Sequence, residues 1–144
     1  IMVNNQELTK EQTKDQPKFH IEPLSATTLY TVIMTDPDAP PSKTTGKNWL
    51  HWLVVNTDQT IQPYQSPTPP AGSGIHHYIL RLFKQPHHLE TVTAKPTSKQ
   101  GQFDIDQYVK NNGLTEIDSK QFTVKATQAQ VQVGGGNNKQ CILL

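Results

Sequence analysis

Apolar residues are concentrated in a few short stretches of the chain, and each stretch has the pattern of a β-strand. Residues 29–35 combine β-branched and aromatic side chains and end abruptly at a proline-rich segment. Residues 49–56 follow a polar loop, and in residues 75–83 successive side chains are expected to point to opposite faces of a sheet. Residues 122–126 alternate apolar and polar positions in the same way. The pattern therefore predicts a sheet of buried strands joined by polar loops.

A helical pattern is found in residues 103–112, where Gly113 follows as a C-cap. Residues 4–18 are polar without apolar periodicity, which predicts a loop or a frayed edge. Residues 62–74 contain several prolines before two glycines and predict a stiff surface loop. We expect one short helix near the C-terminus of a mainly β chain.

The composition agrees with one domain that has a small core. The length of 144 residues fits a single domain, and 33% hydrophobic residues with 11 prolines suit a loop-connected sheet better than a helix bundle. We expect a β domain over residues 1–132 and a flexible glycine-rich tail over residues 133–144. A net charge of +1 creates no strong field, so no nucleic-acid partner is expected. The single cysteine and the polar N-terminal segment indicate a cytoplasmic protein.

Polar side chains gather near the ends of the predicted strands. Asp36 and Asp38 follow the first strand, and His51 lies in the second, where alternation aligns it with Trp49. The third strand places its polar and aromatic groups on one face, at His76 and Tyr78. Imidazole N–H groups hold phosphate or carboxylate, and a neighbouring carboxylate orients the ring. The sequence therefore predicts an anion pocket in which an aspartate orients the histidines without touching the anion.

Each of these residues also has a structural interpretation. A lone strand histidine such as His51 is more often a satisfied structural group than a ligand. Asp36 and Asp38 precede or follow a proline, where aspartate commonly forms a turn with its own backbone. Trp49 and Tyr78 are equally compatible with core packing. On the residues alone, both interpretations stay open.

Metal binding and nucleophilic catalysis have weaker support. His76 and His77 are adjacent on a predicted strand and must face opposite sides, so they cannot bind one ion. The cysteine lies in the tail, and the sequence contains no Gly-x-Ser-x-Gly elbow. We expect no metal, no cofactor and no enzymatic activity. A weak hydrolase that uses Asp36 with His51 or His76 as general base is the alternative.

Three segments together carry a family resemblance. Residues 35–40, 49–56 and 69–78 resemble, in order and spacing, the signature segments of the phosphatidylethanolamine-binding protein family, with its D-P-D-x-P and G-x-H-R-Y type motifs. Weaker similarity extends from Leu8 to Ala126. The resemblance implies an antiparallel β-sandwich with a small pocket at one end.

The resemblance also implies binding and regulation instead of catalysis. The pocket would hold a phosphate-like or carboxylate group, such as phosphoethanolamine or a phospholipid head group. The protein would modulate a partner such as a kinase or a serine protease. Carried onto this sequence, the ligand-binding residues are Asp36, Asp38, Trp49, His51, Pro70, His76 and Tyr78. An interaction protein with a vestigial pocket is a further alternative.

Three features depart from the family pattern. His77 stands where arginine usually follows the motif histidine, which is expected to weaken ion pairing with the aspartate loop near neutral pH. Thr68 follows Pro67 at the place of a usual pocket glycine, so a backbone donor to the anion is displaced or lost. The glycine-rich tail replaces the family's C-terminal helix, and we therefore expect a more open site.

The last four residues form a separate motif. Cys141-Ile142-Leu143-Leu144 matches the C-a-a-X prenylation pattern, with a terminal leucine that favours a geranylgeranyl group. A chance tetrapeptide is the alternative. Lys139 is the only basic residue close by, so attachment through one lipid would be weak or reversible. Membrane association is expected only if Cys141 is prenylated.

Overall fold

A computed structural model describes residues 5–18, 21 and 25–128 of the chain. Its elements in chain order are β1 (Gln6–Leu8), β2 (Tyr30–Asp36), α1 (Pro40–Thr45), β3 (Trp49–Val55), β4 (Gln59–Gln62), β5 (Ile75–Lys84), α2 (Thr91–Ala94), a 3₁₀ turn (Gln100–Gln102), α3 (Ile105–Asn111) and β6 (Thr115–Lys125). The strands form one sheet in the order β1-β6-β5-β2-β3-β4. Only the pairing of β1 with β6 is parallel.

The predicted mainly β fold is confirmed. Within the described residues it is built on a single sheet, with the helical segments packed on one face, where the prediction had two facing sheets. No helix among the described residues is long and apolar enough to cross a membrane.

The two faces of the sheet carry separate apolar clusters. On one face, Ile33, Leu53 and Phe83 pack under side chains from the helical segments, among them Phe103 and Tyr108. The cluster on the other face is made by the strands themselves and includes Val32, Met34, Trp52, Tyr78 and Phe122. Burying each large apolar side chain contributes about 1.5–3 kcal/mol. Because β2 is buried along its whole length, its central residues 32–34 form a continuous apolar run instead of an alternating pattern.

Several elements differ from the sequence-based expectation. Residues 6–8, expected in a loop or a frayed edge, form the edge strand β1 by pairing with β6. The proline-rich segment after β2 contains α1, because proline at the first helical position suits a helix start and Gly46 ends the helix with a φ of 73°. Strand β6 begins at Thr115, well before the alternating residues. The sequence analysis missed this first part of the strand because residues 115–120 are exposed and carry no apolar pattern.

A β-bulge at His51 shapes the end of β3. Met34 pairs with Trp52 whereas Thr35 pairs with Leu50, so His51 is an extra residue opposite the regular strand β2. The bulge explains why Leu50 and Leu53 belong to the same apolar cluster. Bulges re-aim side chains and are frequent beside binding sites. The bulge thus interrupts simple alternation at His51.

Candidate anion pocket

A pocket of about 290 Å³ lies where the ends of β2, β3 and β5 meet. Its lining combines polar groups with proline and aromatic surfaces and consists of Asp36, Ala39, Pro40, Trp49, His51, Gln65, Thr68, Pro69, Pro70 and Tyr78. The structure thus brings together Asp36, Trp49, His51, Pro70 and Tyr78 of the predicted site. Two predicted residues, Asp38 and His76, do not line the pocket but are hydrogen-bonded to Asp36, which does.

His76 is completely buried and uses both of its ring nitrogens. Nδ1 lies 2.7 Å from Asp36 Oδ2, and Nε2 lies 2.8 Å from Ser73 Oγ. The Ser73 hydroxyl is also 2.6 Å from the carbonyl oxygen of Pro70, a distance that requires the serine hydrogen between the two oxygens. Ser73 Oγ therefore accepts from His76 Nε2, while Asp36 occupies the other ring nitrogen. His76 has no free nitrogen for a ligand.

Asp38 joins the loop after β2 to strand β5. Its backbone N–H donates to Asp36 Oδ1 at 2.7 Å, and its own Oδ2 accepts from the backbone N–H and the ring Nδ1 of His77, both at 2.7 Å. Partial burial acts to raise the pKa of Asp38, but the two hydrogen bonds from His77 outweigh it and hold the pKa below its ordinary value of 3.8. His77 thus contacts the aspartate loop from the position where arginine is usual in the family pattern.

His51 is buried and held by the backbone of Gln65. The ring Nδ1 lies 2.6 Å from the Gln65 carbonyl oxygen, which only accepts, so Nδ1 carries a hydrogen. The Gln65 N–H donates in return to the His51 carbonyl at 2.8 Å. Burial lowers the pKa of His51 below 6.5, against the raising effects of the Gln65 carbonyl and Asp36. Near pH 7 the ring is neutral, and its Nε2 is an acceptor without a partner among the described residues.

Tyr78 forms the aromatic floor of the pocket. Its ring lies edge-on to His51 at a centroid distance of 5.1 Å and stacks on Phe122 at 5.4 Å. Burial, followed by the nearby charges of Asp36 and Asp38, raises the pKa of the hydroxyl far above its ordinary value of 10, so the group stays protonated. In the part of the chain that the structure describes, this hydroxyl has no hydrogen-bond partner, although the residue is only 1% exposed. Tyr78 therefore presents to the pocket a hydroxyl donor that no described residue uses.

Gln65 is a pocket residue that the sequence analysis missed. Besides holding His51, it accepts a hydrogen bond at 3.0 Å from the indole N–H of Trp49 through Oε1. Its position in a proline-rich loop was predicted, but no local pattern indicates which loop residue turns toward a pocket. Thr68, which replaces the expected glycine, lies exposed at the pocket rim.

The hypotheses of metal binding and of lipidation concern different parts of the chain. Among residues 5–18, 21 and 25–128, no group of three His, Cys, Asp or Glu side chains is placed to hold a metal ion. Cys141 and the tail over residues 133–144 lie outside the described residues, so the tail boundary and the lipidation motif stay predictions.

Comparison with known proteins identifies the family. A family model described as phosphatidylethanolamine-binding protein matches residues 2–61 and 56–131, and the chain therefore belongs to that family. CEN-like protein 1 of Nicotiana tabacum is 36% identical over 120 residues, which cover 77% of this chain and 66% of the relative. BROTHER of FT and TFL 1 of Arabidopsis thaliana is 34% identical over 125 residues, covering 81% and 68%. The chain spans about two thirds of the length of these curated relatives.

Solved structures confirm the fold. A carboxypeptidase Y inhibitor, solved in complex with its cognate proteinase, superposes with a TM-score of 0.67 at 23% identity and covers 85% of this chain and 76% of the inhibitor. A phosphatidylethanolamine-binding protein from Plasmodium vivax gives a TM-score of 0.58 at 19% identity, with coverage of 85% and 78%. At these identities the likeness extends to the fold alone.

Proposed function

We propose that this chain is a non-catalytic binding protein whose pocket holds a phosphate-like or carboxylate group and which modulates a protein partner. The observation that carries the proposal is the Tyr78 hydroxyl, a protonated donor that lines the pocket and has no partner among the described residues. A hydrogen bond to a charged group contributes about 1.5–3 kcal/mol, so an anionic oxygen in the pocket would gain from this donor. Protonation of His51 Nε2 would add a second, charged donor.

The charge around the pocket is compatible with an anion. Among the described lining residues Asp36 is the one carboxylate, and both of its oxygens already have hydrogen-bond partners in the protein. An anion would therefore meet the Tyr78 donor, and His51 once its ring is protonated, without facing a carboxylate oxygen that lacks a partner.

A weak hydrolase has less support from the same contacts. The Ser73 hydroxyl donates to a backbone carbonyl, and His76 has both nitrogens bonded, so neither is prepared for acyl or phosphoryl transfer. His51 Nε2 is the one general base that the predicted Asp–His set leaves free. Hydrolysis of generic phosphate and acyl esters that disappears in His51→Gln would favour this alternative.

The role in regulation rests on family membership. The fold also occurs in a carboxypeptidase Y inhibitor crystallised with its cognate proteinase. A kinase or a serine protease is the class of partner that we propose, with phosphoethanolamine or a phospholipid head group as the small ligand. A cytoplasmic location stays a prediction.

An NMR titration of the labelled protein tests the pocket. Inorganic phosphate, phosphoethanolamine and acetate would be added at constant ionic strength, with chloride as the control. We expect saturable shifts of the amides of His51, Gln65 and Tyr78. If none of the three ligands produces a saturable change, the pocket is vestigial and the protein acts through its surface.

A further inference from the structure

The orientation of the Gln65 side-chain amide follows from its neighbours. The indole nitrogen of Trp49 only donates, so the Gln65 atom that it contacts at 3.0 Å is the oxygen Oε1. Gln100 supports the same orientation of the Gln65 amide. The Gln100 side-chain nitrogen is identified by its contact at 2.8 Å with the carbonyl oxygen of Leu50, which only accepts. That same Gln100 nitrogen also contacts Gln65 Oε1. Both contacts place the Gln65 oxygen toward the protein.

The other end of this amide is unused. Because Oε1 already accepts twice, the two N–H groups of Gln65 Nε2 remain as donors, and the described residues offer them no partner. Gln65 lines the same pocket as Tyr78 and His51. None of the described lining residues is lysine or arginine, so neutral donors must supply most of the hydrogen bonds to an anion at neutral pH.

We propose that Gln65 is a ligand-binding residue whose amide N–H groups donate to the bound oxyanion and make the pocket selective for ligands with several acceptor oxygens, such as phosphate monoesters. Trp49 and Gln100 are positioning residues, since they hold the amide oxygen and so aim the nitrogen at the ligand. This proposal rests on the proposed function of the pocket. Gln65 would give the pocket a hydrogen-bond donor that does not depend on the protonation of His51.

The substitution Gln65→Glu tests the donor with little change of shape. The introduced carboxyl keeps one oxygen for Trp49 and Gln100 and replaces the donating nitrogen with an accepting oxygen. Calorimetric titration with inorganic phosphate near pH 7 should show an affinity about 10- to 100-fold weaker than that of the wild type. Gln102→Glu is the matched control, because Gln102 is exposed and lies outside the pocket, and its phosphate affinity should change less than about twofold.

The pH dependence of sulfate binding distinguishes the loss of a hydrogen-bond donor in Gln65→Glu from a structural defect. A glutamate carboxyl has an ordinary pKa of about 4.3, so the comparison extends down to about pH 4. Sulfate is the probe because its charge stays constant over this range. Protonation of the introduced carboxyl restores a donor, so the affinity gap between Gln65→Glu and the wild type should narrow as the pH falls toward about 4. The titratable residues that line the pocket with Gln65 are Asp36, His51 and Tyr78. All three are present in both proteins. A merely structural defect would leave the gap constant.

The outcomes distinguish this proposal from the proposed function. If the wild type binds phosphate and Gln65→Glu binds it within about twofold, Gln65 is not a ligand-binding residue while the pocket function survives. If the wild type itself shows no saturable binding, both proposals are overturned. Should Gln65→Glu fail to fold, as judged by its thermal unfolding, Gln65→Met provides an uncharged variant without donors, and an affinity equal to that of the wild type would again refute the role.

Discussion

Two buried polar clusters lie at opposite ends of β2 and differ in whether their hydrogen bonds are complete. At the start of the strand, Gln85 accepts from the Thr31 hydroxyl and the Asn56 N–H, both at 2.7 Å. Its nitrogen donates to Asn56 Oδ1 and to a backbone carbonyl. The Asn56 amide completes its bonds with Gln59 and with the N–H and carbonyl of Leu89. We call Thr31, Asn56 and Gln85 the amide cluster.

The pocket at the other end of β2 has the opposite character. Tyr78, Gln65 and His51 each keep a polar atom that no described residue satisfies, whereas Asp36 and His76 behind them are fully bonded. Polar atoms that line a pocket and have no protein partner are available to a ligand. The comparison teaches that the amide cluster stabilises the fold and that the pocket retains binding capacity.

The largest effect is expected at the amide cluster. Gln85→Leu leaves the Thr31 hydroxyl, the Asn56 backbone N–H and a backbone carbonyl without their partner, and each orphaned group costs about 1–3 kcal/mol. We expect the free energy of unfolding to fall by about 4 kcal/mol in urea denaturation, with unchanged phosphate affinity in the folded protein. Gln102→Leu, at an exposed site, is the control. A loss below about 1 kcal/mol would contradict the assigned role of the cluster.

A smaller effect is expected from the protonation of His51. Its folded-state pKa lies below 6.5, so as the pH falls through that value the unfolded chain takes up a proton first and the contribution of His51 to stability decreases. Bound sulfate favours the charged ring, so binding should take up protons and tighten over the same window. Calorimetry in buffers of different ionisation enthalpy measures this uptake. His51→Gln should abolish it, and an unchanged uptake in that variant would assign the proton to another group.

The smallest effect is expected at the link between the aspartate loop and β5. His77→Arg places a permanent charge beside Asp38, whereas histidine is charged only when protonated. Because the His77 side chain is 49% exposed, the gain in stability should be about 0.5 kcal/mol and larger at pH 8 than at pH 5. Thermal unfolding at both values measures it. His87→Arg, an exposed change without a carboxylate partner in the described contacts, should give no such pH-dependent gain.

The sequence predicted the parts of this molecule that depend on local pattern. Strands β2, β3 and β5 follow from β-branched and aromatic runs, and the motif order brought Asp36, Trp49 and Tyr78 to one pocket. The bulge at His51 was missed because an extra residue in a strand changes the partner register without a local signal. The direction of Gln65 depends on contacts with Trp49 and Gln100, which are distant in the chain. The bonding of both His76 nitrogens likewise depends on the folded loop.

Tyr78→Phe tests the central claim most directly, because it removes one hydroxyl and keeps the ring between His51 and Phe122. We expect phosphate affinity to fall by about tenfold, while the stability of the ligand-free protein changes little because the hydroxyl has no hydrogen bond to the described residues. Tyr108→Phe is the matched control: it loses a 2.7 Å hydrogen bond to Ala94 on the opposite face, so it should lower stability by about 1 kcal/mol and leave phosphate affinity unchanged. Equal phosphate affinity in Tyr78→Phe and the wild type would contradict the claim that the unpaired hydroxyl marks the anion site.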